Sequence, residues 1–249
     1  MRAALPTVPT LHSEWIKIRS LRGTLGGLMA VLVATAGIQA LTAAAIGQSE
    51  DGSMGDDPLF AAYYGISFGQ IAAMVFGAGA VSSEFHNGAL RTSLAAVPNR
   101  TRFYLSKIAT VGVLALLVGQ VTGLVTFVAG QAFMGRYALE VGDPGTYRAV
   151  VGSGLYLTLM ALLAAGLTAV LRSGTVVLSL LIPFVLLVSF VVGEAAGGAA
   201  QYLPDRAGQL VLHAQTQGDL GPWTGLGVMA LWATAAVVGG WLAVHRRDA

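Results

Sequence analysis

The amino-acid sequence predicts an all-α, polytopic membrane protein with six transmembrane helices. Of its 249 residues, 55% are hydrophobic and only 10% are charged, and the mean hydropathy is +0.71. Soluble domains carry roughly 25% charged residues, so this chain has too little polar surface to cover a globule in water. The composition therefore excludes a disordered chain and disfavours a soluble enzyme.

Six apolar stretches are long enough to cross a bilayer, since a helix rises about 1.5 Å per residue and the hydrocarbon core is about 30 Å thick. None of them contains Asp, Glu, Lys, Arg or His. The third stretch is longer than a span needs, which predicts a tilt or a break near Gly119–Gly123. The predicted bounds are residues 25–46, 63–81, 108–134, 149–171, 175–193 and 223–244.

The charged residues predict the orientation of these spans. If the N-terminal side is the inner side, the inner segments carry 11 of the 14 lysines and arginines, and the outer loops carry nine of the 12 acidic residues. Inner loops of membrane proteins are enriched in Lys and Arg. We therefore expect one transmembrane domain over residues 1–249, in the plasma membrane, with both termini cytoplasmic. Abundant Arg, Ala, Gly and Val are typical of a GC-rich bacterial genome.

Residues 10–22 precede the first span and predict an amphipathic helix that lies in the membrane interface. Trp15 falls on the apolar face of this helix, whereas Lys17 and Arg19 fall largely elsewhere. Glu14 lies near the positive end of the helix dipole. The first apolar run is long enough to span, so we do not expect a cleaved signal peptide. The simpler alternative is a basic extension of the first span.

The sequence lacks the residues that common catalytic and coupling mechanisms need. Neither of its two lysines follows a glycine, so it holds no phosphate-binding P-loop. It contains no cysteine and its four histidines are far apart in sequence, so no metal or cofactor site is predicted. A net charge of +2 gives no indication of nucleic-acid binding. Spans without ionisable residues also disfavour a carrier driven by protons or sodium ions.

The stretch Gly65–Gly69 matches the G-x-S-x-G pattern of serine hydrolases. That pattern requires a strand-to-helix turn and a base beside Ser67, but here it opens a membrane span that contains no base. Gly65 and Gly69 are instead expected to form a G-x-x-x-G helix-packing face. Pro183 lies within the fifth span and is expected to kink it, with or without a functional role.

The longest inner segment, residues 82–107, joins the second and third spans. Leu90, Leu94 and Val97 fall on one helical face, and Pro98 ends that helix. A short cytoplasmic helix with one apolar face and flanking charges needs a surface to cover it. Either the membrane interface or another protein could supply that surface.

The same segment also carries an extended motif. Its residues are Glu84, Gly88, Leu90, Arg91, Thr92, Leu94, Pro98, Arg100 and Lys107. In this pattern the chain resembles permease subunits of ABC transporters of the type-2 exporter class, although position 99 is Asn where many relatives carry a basic residue. Weaker matches extend over the six-span layout, at Glu14, Lys17 and Arg19, at Tyr202 to Pro204, and at Arg246 to Asp248.

The resemblance implies a role for each inner and outer segment. Residues 82–107 would hold a coupling helix that docks on a separate ABC ATPase subunit. Residues 10–22 would form the connecting helix, with Glu14, Trp15, Lys17 and Arg19, and residues 194–221 would form an extracellular re-entrant region. The implied ATPase interface comprises Glu84, Phe85, Gly88, Leu90, Arg91, Thr92, Leu94, Pro98 and Arg100.

These observations predict the membrane-spanning permease subunit of an ATP-driven exporter, paired with a second copy or a paralogous permease. ATP and Mg would bind in the partner ATPase, and neutral spans suit a lipophilic or amphipathic cargo. Glu84 would anchor the loop through Arg91 or a partner residue. Simpler interpretations remain open: an ordinary interface carboxylate for Glu84, lipid insertion for Leu90 and Leu94, and topology marking for Arg100 and Arg102. The alternative function is a non-transporting accessory or assembly protein of an envelope complex.

Overall fold

The computed structural model describes residues 22–48, 57–85, 99–140, 142–188, 197–215 and 218–246. The regular structure in these ranges is entirely helical, which confirms the predicted all-α class. The expected interfacial helix over residues 10–22 lies almost wholly outside the described residues. The principal helices are α1 (Arg22–Gln48), α2 (Ile66–Ser82), α3 (Arg100–Met134), α4 (Thr146–Leu171), α5 (Gly174–Pro183) and α6 (Pro222–Arg246).

Five of these helices, all except α5, are long and apolar enough to cross a membrane. The apolar helical stretch that includes α5, Gly174–Leu187, is shorter. At about 1.5 Å per residue it covers roughly 20 Å, less than the hydrocarbon thickness of about 30 Å. Helix α5 begins at Gly174, one residue before the start of the fifth predicted span. The last residues of that span, 189–193, lie outside the described part of the chain.

Helix α3 is continuous from Arg100 to Met134, so the predicted break near Gly119–Gly123 is wrong. The two glycines instead face α4. A Cβ on Gly119 would lie 2.8 Å from the carbonyl oxygen of Gly154, and one on Gly123 would collide with Ser153. Small residues at such a crossing allow two helices to pack backbone to backbone. The extra length of α3 lies at its start, where the helix begins eight residues before the predicted span.

Helix α4 lies at the centre of the bundle, in contact with α2, α3 and α6. In its most apolar stretch 67% of the residues are buried, compared with 22% in α1 and 28% in α6. Leu157 and Met160 of α4 are fully buried. The outward sides of α1 and α6 instead expose Leu41, Leu231 and Trp232. These apolar surfaces suit contact with lipid tails or another membrane protein.

Gly65 and Gly69 lie where the start of α2 crosses α1. A Cβ on either glycine would collide with Thr35 of α1. Beside them, the Gln39 side-chain oxygen accepts a hydrogen bond from the Gly65 amide at 2.9 Å, and its Nε2 donates to the Ala61 carbonyl at 3.1 Å. The buried glutamine thereby satisfies the Gly65 amide just before α2 and joins the turn that precedes α2 to α1.

Pro183 is the last residue of α5, and a five-residue π-helical turn, Phe184–Val188, follows it. Proline removes one backbone donor and crowds the preceding turn. π turns are rare and occur mostly as single turns inside α-helices, where they can satisfy backbone groups freed by a proline. The chain therefore changes from α-helical to π-helical form immediately after Pro183.

Successive helices run in opposite directions, so their ends form two faces. The face that carries the start of α3 and the ends of α4 and α6 is called the basic face here, after Arg100, Lys107, Arg172 and Arg246. The opposite end of the bundle is called the acidic face, after Asp57, Asp143 and Asp219. This division follows the charge asymmetry of the sequence.

Residues 197–215, called the capping segment here, lie at the acidic face. They comprise a 3-10 helix (Gly197–Tyr202), a short α-helix (Pro204–Gln209) and a 3-10 turn (Leu210–Leu212). Gly208 packs against the ring of Tyr156 in α4. Tyr156 lies ten residues after the start of α4, which is about 15 Å along the helix from the acidic face. The capping segment therefore descends roughly halfway along a span.

A buried polar chain holds the deep end of the capping segment. Nε2 of Gln209 donates a hydrogen bond to the hydroxyl of Tyr156 at 3.2 Å. That hydroxyl in turn donates to Oε1 of Gln70 on α2. Because Tyr156 and Gln70 are almost completely buried, each polar group depends on these partners. The chain thus joins α2, α4 and the capping segment inside the bundle.

Candidate coupling site at the basic face

A buried ion pair joins the two ends of the inner segment 82–107. Nζ of Lys107 lies 2.6 Å from Oε1 of Glu84, and the two side chains are only 4% and 8% exposed. Glu84 follows α2, and Lys107 lies two turns into α3. Removing one partner of such a pair leaves an uncompensated buried charge, which costs about 3–5 kcal/mol. The ends of α2 and α3 are therefore held together at this face.

Local sequence features place both partners of this ion pair. After α2 the chain tightens into the 3-10 turn Ser83–Phe85, and the Ser83 hydroxyl donates to the Ala80 carbonyl at 2.9 Å. At the other end, Asn99 caps α3 by accepting a hydrogen bond from the Arg102 amide at 3.0 Å. These two features define where α2 ends and where α3 begins.

The turn between α4 and α5 packs on the end of α2. Arg172 ends α4 in the left-handed conformation, with φ of 56°. Its guanidinium carbon lies 6.0 Å from the centre of the Phe85 ring, within the range of a cation–π contact. The amide of Gly174 donates to the Ser82 hydroxyl at 3.3 Å, and a Cβ on Gly174 would lie 2.9 Å from the Ser82 Cβ. The turn and the ion pair therefore belong to one cluster.

The last turns of α6 contact the first turns of α3. Arg100 donates from Nη1 to the Val244 carbonyl at 3.3 Å, and the Trp241 indole donates to the Thr101 hydroxyl at 3.0 Å. One turn deeper, the Tyr104 hydroxyl donates to the Val237 carbonyl at 2.8 Å. Three hydrogen bonds thus connect the inner segment to the end of α6.

The structure brings together part of the predicted interface. Glu84 and Phe85 lie in the cluster at the basic face, and Arg100 lies at the same face, bonded to the end of α6. The remaining predicted residues lie outside the described part of the chain, and their roles stay predictions. These residues are Gly88, Leu90, Arg91, Thr92, Leu94 and Pro98 in the loop, and Glu14, Trp15, Lys17 and Arg19 before α1.

Sequence reasoning did not assign the ion-pair partner of Glu84 to Lys107, nor did it find Ser82, Arg172 and Gly174. One signal was available for the ion pair. Glu84 is one of only three acidic residues in the predicted inner segments, and an isolated carboxylate near a membrane edge needs a cation. The amino-acid sequence carries no comparable signal for the contacts of the α4–α5 turn, because those contacts depend on how the helices pack.

The described residues contain no group of three or more His, Asp or Glu side chains close enough to hold a metal ion. The cluster at the basic face is built instead from an ion pair, a cation–π contact and hydrogen bonds to backbone groups. Such an arrangement can transmit a displacement between helices. It offers no group placed for bond chemistry among the residues described.

A family model described as an ABC-2 family transporter protein matches residues 10–192. The matched region covers well over half of the chain and includes the inner segment and the ion pair. The capping segment and α6 lie beyond the match. No curated protein matches the chain.

Proposed function

This chain belongs to the ABC-2 family of transporter permeases, and from that premise we propose that it forms half of the path of an ATP-driven exporter. A separate ABC ATPase subunit drives it from the basic face. A permease of this family is a membrane transport component and is not itself catalytic. ATP and Mg therefore bind in the partner subunit.

The observation that carries the proposal is the buried ion pair between Glu84 and Lys107. It joins both ends of the segment that would dock on the ATPase. A force applied to the loop then moves α2 and α3 together, because separating the pair would leave two charges unpaired at low exposure. Without such a link, a displacement of the loop would bend the loop itself and would not move α2 and α3 together.

The neighbouring contacts carry the displacement further. The Ser82–Gly174 hydrogen bond and the Phe85–Arg172 contact pass it to the turn between α4 and α5. The Arg100–Val244 hydrogen bond passes it to α6. Closing of two partner ATPases would then shift the helices as packed bodies between two arrangements of the path.

The orientation of the path follows from the charge asymmetry. A basic face is typical of the cytoplasmic side of a membrane protein, so the ATPase docks from the cytoplasm in the bacterial plasma membrane. Export is the direction that the type-2 resemblance implies. The second half of the path is another copy of this chain or a paralogous permease, and the exposed apolar sides of α1 and α6 provide surface for it and for lipid.

Co-purification and ATP hydrolysis test the proposal. The tagged chain is expressed with ABC ATPase subunits from the same genome and purified in lipid nanodiscs. We expect one ATPase to co-purify, and its hydrolysis to depend on the permease. Leu94→Asp, on the predicted docking face, should abolish co-purification.

Glu84→Gln should retain the bound ATPase but uncouple its hydrolysis from the permease, because the link between α2 and α3 is broken. The matched control is Glu140→Gln at the acidic face, where the side chain is exposed, and it should behave as the native chain does. If no ABC ATPase binds the native chain, the proposal is wrong and a non-transporting accessory role is favoured.

A further inference from the structure

A second polar cluster, at the acidic face, holds the end of the capping segment. Nδ1 of His213 lies 2.9 Å from Oδ2 of Asp57. The imidazole also stacks on the Phe60 ring, with 4.4 Å between the ring centres and planes 7° apart. Asp57 and Phe60 belong to the segment that begins the one-turn helix Pro58–Ala61, just before α2. The capping segment is therefore attached at this point to the entry of α2.

The Asp57 carboxylate is shared between two elements. It caps the one-turn helix by accepting a hydrogen bond from the Phe60 amide at 3.0 Å. It also accepts the amide of Ala214, which lies 3.1 Å from each carboxylate oxygen. On the other side, Nη2 of Arg148 in α4 donates to the His213 carbonyl. Three separate parts of the fold meet at one histidine.

The charged groups that contact His213, among the residues described, are Asp57 from the entry of α2 and Arg148 from α4. The His213 and Asp57 side chains are 31% and 21% exposed, so water and protons reach them. Histidine is the side chain whose charge ordinarily changes between about pH 5 and pH 8. Protonation of His213 would place a full positive charge beside the carboxylate, whereas the charge of Arg148 stays constant.

We propose that His213, Asp57 and Arg148 form a proton-dependent latch that holds the capping segment against the acidic face. When His213 is protonated, the bond to Asp57 is charge-assisted and the latch is closed. A charge-assisted hydrogen bond is about twice as strong as a neutral one. When the pH rises and His213 loses its charge, the same bond weakens and the end of the segment is released more often.

The two ends of the capping segment differ in this respect. The deep end is held by Gln209, Tyr156 and Gln70, through amides and a phenol, and the buried carboxylate of Asp205 interacts with Tyr156 there. The one histidine of the capping segment lies at the surface end. A rise in pH would therefore loosen the surface end while the deep end stays in place. Only the part around His213 and Ala214 would then be released. Gln201 and Tyr202 of the same segment stay bonded to the Asp219 amide and the Trp232 indole.

Hydrogen exchange of the Ala214 amide tests the latch, because that amide is bonded to Asp57. The purified full chain in lipid nanodiscs is compared at about pH 5.5 and about pH 8, on either side of the ordinary histidine range. Each rate is corrected for the intrinsic pH dependence of exchange. We expect the protection of residues 210–215 to fall about three- to fivefold at the higher pH, the size expected for a partly exposed ion pair.

His213→Gln should remove this pH dependence, and His213→Asn provides a second variant if the first does not fold. The matched control is His245→Gln, which removes a histidine that stacks on Trp241 at the basic face. This control should keep the native response. Protection that is independent of pH in the native chain, or a response that persists in His213→Gln, would overturn the latch. No ATPase or cargo takes part, so failure here leaves the proposed coupling untouched.

Discussion

The two faces of the bundle are held together by different kinds of contact. At the basic face, Glu84 and Lys107 form an ion pair that is nearly closed to water. At the acidic face, His213 and Asp57 form a pair whose side chains are about a quarter exposed on average. The buried pair is called the rigid joint here, because breaking it leaves a buried charge unpaired. The more exposed pair, which the proposed latch would open, is called the releasable joint.

This difference matches what each face would do in an ATP-driven permease. The contacts at a face that receives force from an ATPase must resist separation. Low exposure protects the ion pair at the basic face from competition by water and salt. In the proposed exporter the opposite face would open to release cargo, which requires contacts that separate at small cost. Removing these contacts one at a time tests the difference between the two faces.

The largest expected effect is at the rigid joint. Lys107→Met leaves the Glu84 carboxylate buried without its cation, and we expect a loss of about 3–5 kcal/mol in the free energy of unfolding. Thermal unfolding in detergent micelles, followed by circular dichroism, measures the loss. Adding Glu84→Gln to Lys107→Met should recover most of it.

The control for this change is Arg246→Met, which removes an exposed cation from the same face. It should alter stability by less than about 1 kcal/mol. Equal losses for Lys107→Met and Arg246→Met would mean that the two faces do not differ in the way described.

A smaller effect is expected in the body that connects the two faces. A Cβ on Gly77 of α2 would lie 2.8 Å from the carbonyl carbon of Ala161 in α4. Gly77→Ala should push the helices apart and cost about 1–3 kcal/mol.

Gly79, two residues along the same helix, faces open space. Gly79→Ala should be neutral or stabilise the helix by up to about 1 kcal/mol. The same unfolding measurement distinguishes the two. If both variants behaved alike, close packing of α2 on α4 would not be what joins the faces.

The smallest effect is expected at the releasable joint. Asp57→Ala removes the cap of the one-turn helix and the partner of His213, and should cost about 1–2 kcal/mol. Asp57→Asn keeps an oxygen that can cap the helix but loses the charge, so it should cost less than Asp57→Ala. A loss at Asp57 as large as that at Lys107 would contradict the distinction between the faces.

The helical class and most of the spans could be predicted because hydropathy and length alone decide whether a helix suits a bilayer. The bounds of α1, α4 and α6 lie within three residues of those expected. The start of α3 was missed by eight residues. Its first turns are charged and carry Lys107, and a search for uncharged stretches cannot include a lysine whose charge is neutralised by a distant glutamate.

The candidate site was predicted only in part, for the same kind of reason. The inner segment could be found because it is long, charged and patterned like the permeases that it resembles. The pairing of Glu84 with Lys107, 23 residues apart, depends on α2 and α3 ending side by side. The association of His213 with Asp57, 156 residues apart, depends on the descent of the capping segment into the bundle.

An all-helical membrane protein with one basic and one acidic side can be predicted from the residues alone, because the length of apolar stretches and the sign of loop charges are local properties. The motif of the inner segment also indicated the family. Which charges meet, which glycines lie at helix crossings and how deep the capping segment reaches become visible only in the folded chain. Those features depend on contacts between residues far apart in the chain, and packing selects them after the helices have formed.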